Sequence, residues 1–574
     1  MAAAAAAAAP KNRRTMDYDP TVWGDFFLTH VPQTDEVVKA WEEQIEVLKP
    51  DVKRRLSAPI DHLAERLNLI DVVERLGLDY HFEEEIDHIM RQVHQNNHGC
   101  NNIDEDDELN TVALRFRLLR QHGYKAPSDV FNKFKTEGGV FKEDLVNDFE
   151  GMLNLYEAGY LRIKGEGVLD EAIEFTRSHL TAKAAELESP LADRVTRALK
   201  RPLRKVMAKC EHLFFISFYE KLVSHDPTLL KLAKLSFNVL QNLYQTELRT
   251  LTKWWLELDT PANLPYARDK LVESYLWALG GLWEPKYSVA RQLVTKVTQF
   301  GTLMDDTFDN QGCIEELELF TAAMAGWDSS MEGLKPYMMV LFEGIAEIYA
   351  EIVSHTTKER GVWYLDYGKR EVGNAVRLYL EEEKRTDKDY VATVEEYRQV
   401  SSLTTCYEWI TYSAFCGFGD DLVSKDAFEW LLSEPTMLIA ATDQCRLQDD
   451  IADHLVHDSV GDPSDHDLSM SLLKGDEKEQ KATLLECYMK QYDVSQQEAA
   501  KAVADFIEED WMIMNEEMLN PPPNVPVQIL TVLLRFAKNM DTLYKDYDGY
   551  THSGTNTKDM ITALIVTPRH LGEI

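Results

Sequence analysis

The stretch LNTVALRFRLLRQHG, residues 109–123, sets the pattern that repeats along most of the chain. Its apolar positions fall on helical spacing and include Val112, Leu114, Phe116, Leu118 and Leu119. The stretch ends at Gly123, and glycine commonly terminates helices. Similar spacing recurs over residues 140–162, 168–187, 227–255, 287–304, 336–355 and 435–456. Because the alternating runs typical of strands are nearly absent, the sequence predicts an all-α fold.

Length and composition predict two packed domains. The chain has 574 residues, of which 44% are hydrophobic, and it is too long for one ordinary core. The turn signal Asp226-Pro227 is the expected boundary. This boundary separates an N-terminal domain at residues 24–225 from a C-terminal domain at 226–574. A tail at residues 1–23 precedes both.

Charge and cysteine content narrow the class of protein. The 98 acidic residues outnumber 61 basic ones, giving a formal net charge of −37, which disfavours nucleic-acid binding. An anionic ligand would need bound cations or a local basic cluster. No run approaches the roughly 20 apolar residues of a membrane span. Seven cysteines without a CxxC pair, and the lack of an organelle targeting pattern in the Ala-rich start, predict a cytoplasmic protein.

The strongest chemical signal is LMDDTFD at residues 303–309, where an apolar helix runs into three aspartates. Asp305 and Asp309 are four residues apart and therefore project from one helical face. Like charges stacked in this way destabilise a helix unless a cation lies between them. Mg²⁺ prefers oxygen ligands and is the natural cation for such a site.

A second acidic cluster follows in CRLQDDIADHLVHD, residues 445–458. Asp449, Asp453 and His457 are spaced by four and share one helical face. Either cluster alone is equally well explained as a solvated helix face. Both are embedded in apolar sequence, however, and two carboxylate clusters that hold divalent ions suit a diphosphate ligand.

Three basic residues lie close to these clusters in the sequence. Arg268 and Lys270 precede the first cluster, and Arg446 lies three residues before Asp449. They are candidates for binding the diphosphate. The alternative for each is an ordinary surface salt bridge.

Several stretches in this order resemble the plant class I terpene synthases, and more specifically the cytosolic sesquiterpene synthases. RRTMDYDPTVW (13–23) is similar to the family's RRx8W, LPYARDKLVESYLWALG (264–280) to its RxR region, and DDTFD (305–309) to its DDxxD motif. The other matching stretches are ALRFRLLRQHG (113–123), EPKYSVAR (284–291) and DGYTHSG (548–554). The resemblance covers nearly the whole chain.

The resemblance implies a fold and a reaction. It implies a C-terminal catalytic domain with the class I terpenoid synthase fold and an N-terminal α-barrel-like domain that is a relic of another cyclase class. It also implies ionisation of an allylic diphosphate, most simply farnesyl diphosphate, followed by cyclisation of the carbocation to a sesquiterpene. Three Mg²⁺ ions are expected, Mn²⁺ is a possible substitute, and a monomer with a small-molecule substrate is expected.

The resemblance also assigns roles to individual residues. Asp305, Asp309 and Asp449 would bind metal, and Arg268 and Arg446 would grip the diphosphate. The segment 404–407 would aim carbonyl dipoles at the developing cation, and Asp548 would orient a terminal deprotonation or cap the site. The aromatic residues that would face the cation are Trp277, Tyr407, Tyr544 and Tyr550.

Three positions depart from the family pattern. Asp453 replaces a Ser or Thr, His457 replaces a Glu, and Lys270 replaces the second Arg of RxR. Imidazole is a poor ligand for Mg²⁺, so the added carboxylate of Asp453 is expected to compensate. Lys270 keeps the charge but loses the bidentate fork of Arg.

Other functions remain open at this level. The rivals are a monoterpene synthase that uses geranyl diphosphate, a chain-elongating prenyltransferase and a helical scaffold that has lost activity. Asp104, Asp106 and Asp107 also spell the DxDD of class II cyclases. Their neighbours are polar, which disfavours the dry pocket that such an acid requires.

Overall fold

The computed structural model describes residues 18–58, 63–95, 108–385, 390–418, 422–459 and 482–571, with the backbone alone for 453–459. No strand occurs in these ranges, and an isolated bridge joins Lys135 to Phe141. The prediction of an all-α fold is therefore confirmed. None of the helices described is both long and apolar enough to cross a membrane.

Nine helices precede residue 226. They are α1 (Phe26–Thr29), α2 (Asp35–Ser57), α3 (Leu63–Arg75), α4 (Glu83–Gln95), α5 (Leu109–Gln121), α6 (Phe149–Gly159), α7 (Gly167–Ala184), α8 (Leu191–Lys200) and α9 (Ala208–Lys221), counted within the described ranges.

The second half contains the longer helices. The first eight are α10 (Pro227–Glu257), α11 (Thr260–Asn263), α12 (Leu271–Gly281), α13 (Ser288–Asp306), α14 (Ile314–Gly326), α15 (Pro336–Ser354), α16 (Lys358–Lys384) and α17 (Val394–Val400). They are followed by α18 (Tyr407–Cys416), α19 (Lys425–Leu431), α20 (Thr436–Ser459), α21 (Leu484–Tyr492), α22 (Gln496–Leu519), α23 (Val527–Leu543) and α24 (Asn556–Ile561).

Helix α10 begins where the sequence predicts a break. The Asp226 side chain accepts hydrogen bonds from the backbone N–H groups of Thr228 and Leu229, and Pro227 occupies the first turn. Both features stabilise a helix N-terminus. Arg55 of α2 forms an ion pair with Asp226 at 2.6 Å, so the start of α10 is also fixed to the N-terminal helices. A domain boundary at residue 226 stays a prediction.

Helix α5 is more deeply buried than its amphipathic pattern predicts. It packs against α3 and α6, and its Arg115, Arg117 and Arg120 are at most 4% exposed. Arg117 pairs with Asp71, and Arg120 donates to the Ala126 carbonyl at 2.7 Å. The basic positions of this stretch therefore bind buried partners, as buried charges must.

The predicted helix over residues 140–162 is shorter in the structure. Gly139 adopts a φ of 82°, and a 3₁₀ turn covers Glu143–Asn147. Helix α6 starts only after Asp148, whose carboxylate accepts from the Gly151 N–H at 2.8 Å. The Gly139 turn precedes the periodic run, and the Asp148 N-cap divides the run itself into a 3₁₀ turn and a shorter α-helix.

In the C-terminal half, α13 occupies the centre and packs against α12, α15 and α18. Helix α20 packs against α22 and α23. The two acidic stretches predicted from sequence thus lie on two long helices of the same half: the first at the end of α13 and the second along α20.

Candidate active site

The first acidic cluster forms where α13 changes its winding. Helix α13 ends at Asp306 and continues as a π-helical turn, Thr307–Gln311. Such turns are rare and occur frequently at functional sites. The Asp305 carboxylate is 35% exposed and Asp309 is partly exposed, whereas Asp306 is 1% exposed. Two carboxylates at this turn are therefore partly exposed to solvent, and the one between them is buried.

Arg268 fixes this cluster from the segment before α12. Its Nη2 donates to Asp305 Oδ2 at 2.7 Å, and its Nε and backbone N donate to Asp306 at 3.0 and 2.7 Å. Burial alone would lower the pKa of the Arg268 guanidinium, but the two carboxylates hold it well above its usual value. The cluster thus includes a permanently charged cation.

Tyr18 completes the cluster from the N-terminal end of the described chain. Its hydroxyl donates to Asp306 Oδ1 at 2.9 Å and accepts from Asn310 Nδ2 at 2.9 Å, and Arg268 lies 5.3 Å from its ring centroid. Burial raises the pKa of the Tyr18 phenol. Sequence reasoning missed this residue, although it lies inside the RRTMDYDPTVW stretch.

Lys270 and Asp548 organise the segment that follows α23. Lys270 is 6% exposed, and its Nζ donates to the Thr551 carbonyl at 2.7 Å. Burial lowers the pKa of its ammonium group. Asp548 Oδ1 accepts from the backbone N–H groups of Tyr550 and Thr551, both at 2.9 Å. Arg268 Nη1 also donates to Thr551 Oγ1 at 3.0 Å, so this segment is attached to the first acidic cluster.

Three aromatic rings meet beside the cluster. Trp277 packs edge to face against Tyr407 and Tyr550, with ring centroids 6.0 and 6.2 Å apart. The Tyr550 hydroxyl lies 2.9 Å from Ser274 Oγ and 2.8 Å from Thr302 Oγ1, and burial raises its pKa to about 12. These three predicted residues therefore form one wall, and Tyr550 stays a neutral phenol at physiological pH.

A helix break lies between the two acidic clusters. A 3₁₀ turn at Leu403–Thr405 is followed by Cys406, whose φ of 59° is unusual for a residue with a side chain, and α18 begins at Tyr407. Burial and, to a smaller extent, Asp305 raise the pKa of the Cys406 thiol to about 12, while its contact with the Tyr379 hydroxyl and the charge of Arg446 act in the opposite direction. Cys406 packs against Gly301 of α13, one turn before Asp305, and Arg446 donates to Thr404 Oγ1 at 3.2 Å, so the break lies between the two clusters.

The second cluster is organised by Arg446 on α20. Its Nε donates to the Ser401 carbonyl at 2.9 Å, its Nη2 to Thr404 Oγ1 at 3.2 Å and its Nη1 to Asp449 Oδ2 at 3.4 Å. Asp449 is 30% exposed. Because these contacts join α20 to the helix break, Arg446 and Asp449 face the same region as Thr404.

Asp450, next to Asp449, faces the protein interior. It accepts from the Tyr397 hydroxyl at 3.0 Å and from the Leu484 backbone N–H at 2.9 Å. The side chains of the predicted ligands Asp453 and His457 lie outside the described residues, although the backbone of α20 continues to Ser459. The sequence of segment 458–485, which is rich in Asp, Ser and Gly, predicts a surface loop, and apart from its two ends this segment also lies outside the described residues.

The available donors fit Mg²⁺. Asp305, Asp309 and Asp449 offer partly exposed carboxylate oxygens, which are hard ligands. Among the described side chains, no three His, Cys, Asp or Glu residues converge on one point as a complete metal cage. Mg²⁺ suits such an arrangement, because it keeps several waters and is usually held by one or two carboxylates together with substrate phosphates.

Comparisons with known proteins identify the family of this chain. Residues 22–199 match the family model "Terpene synthase, N-terminal domain", and residues 256–464 match "Terpene synthase family, metal binding domain". Valencene synthase of Vitis vinifera is 40% identical over 97% of this chain and 97% of its own length. The chain belongs to the terpene synthase family.

Two further proteins are similar to this terpene synthase over nearly its whole length. Sesquiterpene synthase 2 of Toona sinensis is 39% identical over 97% of this chain and 96% of its own length. The solved structure of isoprene synthase from Populus x canescens, in complex with three Mg²⁺ ions and dimethylallyl-S-thiolodiphosphate, is 28% identical. It aligns with a TM-score of 0.81 and covers 96% of this chain and 99% of that chain. The predicted enzyme class, a lyase that acts on prenyl diphosphates, is confirmed at the level of the family.

Proposed function

We propose that this terpene synthase ionises farnesyl diphosphate and cyclises the resulting carbocation to a sesquiterpene, with release of diphosphate. The observation that carries this assignment is the helix break at Cys406, which packs against α13 at Gly301, is bound by Arg446 through Thr404 and leads into the aromatic wall at Tyr407. Similarity to valencene synthase and to a protein named sesquiterpene synthase supports farnesyl diphosphate as the substrate.

The carboxylates of Asp305, Asp309 and Asp449 would hold Mg²⁺, with Asp453 as a further ligand and His457 as the alternative. Three ions are proposed, by analogy with the isoprene synthase complex, and Mn²⁺ is a possible substitute. When bound, the metal neutralises the diphosphate and stabilises it as a leaving group. The chain's own contribution at the first cluster is to fix the Asp305 carboxylate, which Arg268 does through its contacts with Asp305 and the neighbouring Asp306.

Arg268 and Arg446 would bind the diphosphate from opposite clusters. The Arg268 guanidinium is held in place by the side chains of Asp305 and Asp306, and that of Arg446 by the Ser401 carbonyl, so little conformational entropy is lost when an anion arrives. Lys270 is committed to the Thr551 carbonyl. We propose that it acts on the diphosphate mainly by positioning the segment 548–553 and by adding positive charge.

The faces of Trp277, Tyr407 and Tyr550 would stabilise the carbocation. Aromatic faces carry negative quadrupole charge and attract cations without reacting as strong nucleophiles. Tyr407 is fixed by donation to the Phe536 carbonyl at 3.1 Å, and Tyr550 by Ser274 and Thr302. Asp548 would act indirectly, because it shapes the turn that carries Tyr550.

Product analysis tests this assignment. Purified protein with Mg²⁺ is incubated separately with farnesyl and geranyl diphosphate, and the volatile products are identified by gas chromatography and mass spectrometry. We expect fifteen-carbon cyclic products from farnesyl diphosphate. Turnover of geranyl diphosphate alone would favour the monoterpene alternative, and no turnover of either would favour an inactive scaffold. A cytoplasmic location and a monomeric state are part of the same proposal.

A further inference from the structure

A basic cleft of about 250 Å³ lies at the junction of the N-terminal and C-terminal helices. It shares no lining residue with the candidate active site. Arg177 of α7, Lys200 of α8 and Lys205 line it from the N-terminal side, and Glu508 of α22 and Lys545 line it from the C-terminal side. Four cations and one carboxylate thus line a cavity in a chain whose acidic residues outnumber its basic residues, 98 to 61.

Two of these cations make no ion pair within the described part of the chain. Arg177 donates to the Tyr160 hydroxyl, and Lys545 donates to the Lys200 backbone carbonyl at 2.5 Å. Neither acceptor carries a charge. A cation whose hydrogen-bond acceptors are neutral can form a charge-assisted hydrogen bond with an incoming anion.

The remaining charges around the cleft do not cancel this excess. Lys205 pairs with Glu508, which also accepts from Arg162 at 3.0 Å. At the rim, Lys200 pairs with Asp546 at 2.8 Å and Arg201 pairs with Asp541 at 2.7 Å. Arg162 also pairs with Asp170 at 2.9 Å, so the group contains six cations against four carboxylates.

The floor of the cleft is hydrogen-bonded across the N-terminal and C-terminal halves of the molecule. Lys205 is 5% exposed, and the adjacent Arg204 donates through Nε to Asn515 Oδ1 at 2.8 Å. Asn515 Nδ2 in turn donates to the Tyr160 carbonyl at 3.0 Å. A ligand seated on this floor would contact both halves of the molecule at once.

We propose that this cleft binds a small phosphate-type oxyanion, specifically inorganic diphosphate, with Arg177 and Lys545 as its main contacts. The volume corresponds to about eight waters at roughly 30 Å³ each, which suits an ion of about nine non-hydrogen atoms. The excess of positive charge allows it to bind without metal. The acidic clusters of the active site, in contrast, repel diphosphate when no divalent cation is present.

Calorimetric titration of inorganic diphosphate into the full-length protein in excess chelator tests this site. We expect one site in the unmodified protein and at least a tenfold loss of affinity in the double variant Arg177→Gln, Lys545→Gln. Lys183→Gln is the matched control, because Lys183 lies on α7 with Arg177 but pairs with Glu186 and does not line the cleft. It should bind as the unmodified protein does.

A second variant separates this site from the active site. Asp305→Ala should leave metal-free diphosphate binding unchanged. The proposal is overturned if the unmodified protein binds no diphosphate in chelator, if the double variant binds equally well, or if Asp305→Ala abolishes binding. Circular dichroism and the melting temperature confirm that each variant is folded. If the double variant does not fold, the single variants Arg177→Gln and Lys545→Gln are titrated instead.

Discussion

The two acidic clusters differ in how far the protein itself organises them. At the first, the buried Asp306 binds Arg268 and Tyr18. These contacts fix the backbone between the partly exposed carboxylates of Asp305 and Asp309. At the second, Arg446 makes a longer contact of 3.4 Å with Asp449 and binds the helix break more closely. The comparison indicates that the first cluster is set before substrate binds, whereas the second depends more on its additional ligands.

The largest effect is expected at the first cluster. Replacing Asp305 with Ala removes a carboxylate that nothing nearby replaces, so turnover should fall by about a thousandfold or more with the fold intact. Steady-state kinetics together with the melting temperature would measure this. Asp106→Ala is the matched control and should be nearly neutral. Loss of activity in Asp106→Ala alone would instead support the class II reading.

The two arginines give the next comparison. Arg268→Lys loses the planar fork that joins Asp305 to Asp306, and we expect kcat/KM to fall by about a hundredfold. Arg446→Lys loses a hydrogen bond to the neutral Ser401 carbonyl and longer contacts with Thr404 and Asp449, and a loss of about tenfold is expected. Equal losses in the two variants would contradict the difference in organisation between the clusters.

The two residues of the second cluster that depart from the family pattern, Asp453 and His457, should affect the Mg²⁺ concentration that the enzyme requires. If Asp453 has taken over from the family's Glu, Asp453→Ala should raise the Mg²⁺ requirement by about 10-fold to 100-fold, and His457→Ala should be mild. A Mg²⁺ titration of the initial rate measures both. If His457 is a ligand instead, His457→Ala should weaken Mg²⁺ use, Mn²⁺ should be preferred, and activity should fall as pH drops through roughly 6.5.

A smaller effect is expected at Tyr18. Tyr18→Phe keeps the ring over Arg268 but removes the hydrogen bond to the buried Asp306, at a cost of about 1 to 2 kcal/mol. We expect kcat/KM to fall by roughly fivefold to thirtyfold. Tyr124→Phe is the control, since its hydroxyl makes an exposed contact of 3.4 Å with Asp87. Equal effects in both variants would show that Tyr18 plays no special part in the first cluster.

Periodicity predicted the helices well, because a buried face needs apolar residues at helical spacing wherever the helix lies. It could not predict that the arginines of α5 are buried, since their partners Asp71 and Glu166 are distant in sequence. The split of residues 140–162 depended on the Asp148 cap. The spacing of apolar residues predicts distant ion-pair partners and helix caps only weakly, because tertiary contacts override local preference.

The candidate site was predictable only in part. Asp305 and Asp309 were predicted from their spacing on one α-helix, and both are partly exposed in the structure, but the helix changes to π-helical winding between them. The contact between Tyr18 and Asp306 spans 288 residues, and only the three-dimensional fold brings the two together. Likewise, the sequence identified Lys270 as a cation, but its commitment to Thr551 depends on how the segment after α23 folds back.

Release of diphosphate from farnesyl diphosphate, measured with Mg²⁺ and again in excess chelator, tests the central claim most directly. Asp305, Asp309 and Asp449 cannot bind a diphosphate without divalent cations, because all three are acidic. Diphosphate release and sesquiterpene formation should therefore both be rapid with Mg²⁺, absent in chelator and restored when Mg²⁺ is added back. Product formation that continues undiminished in excess chelator would contradict the account.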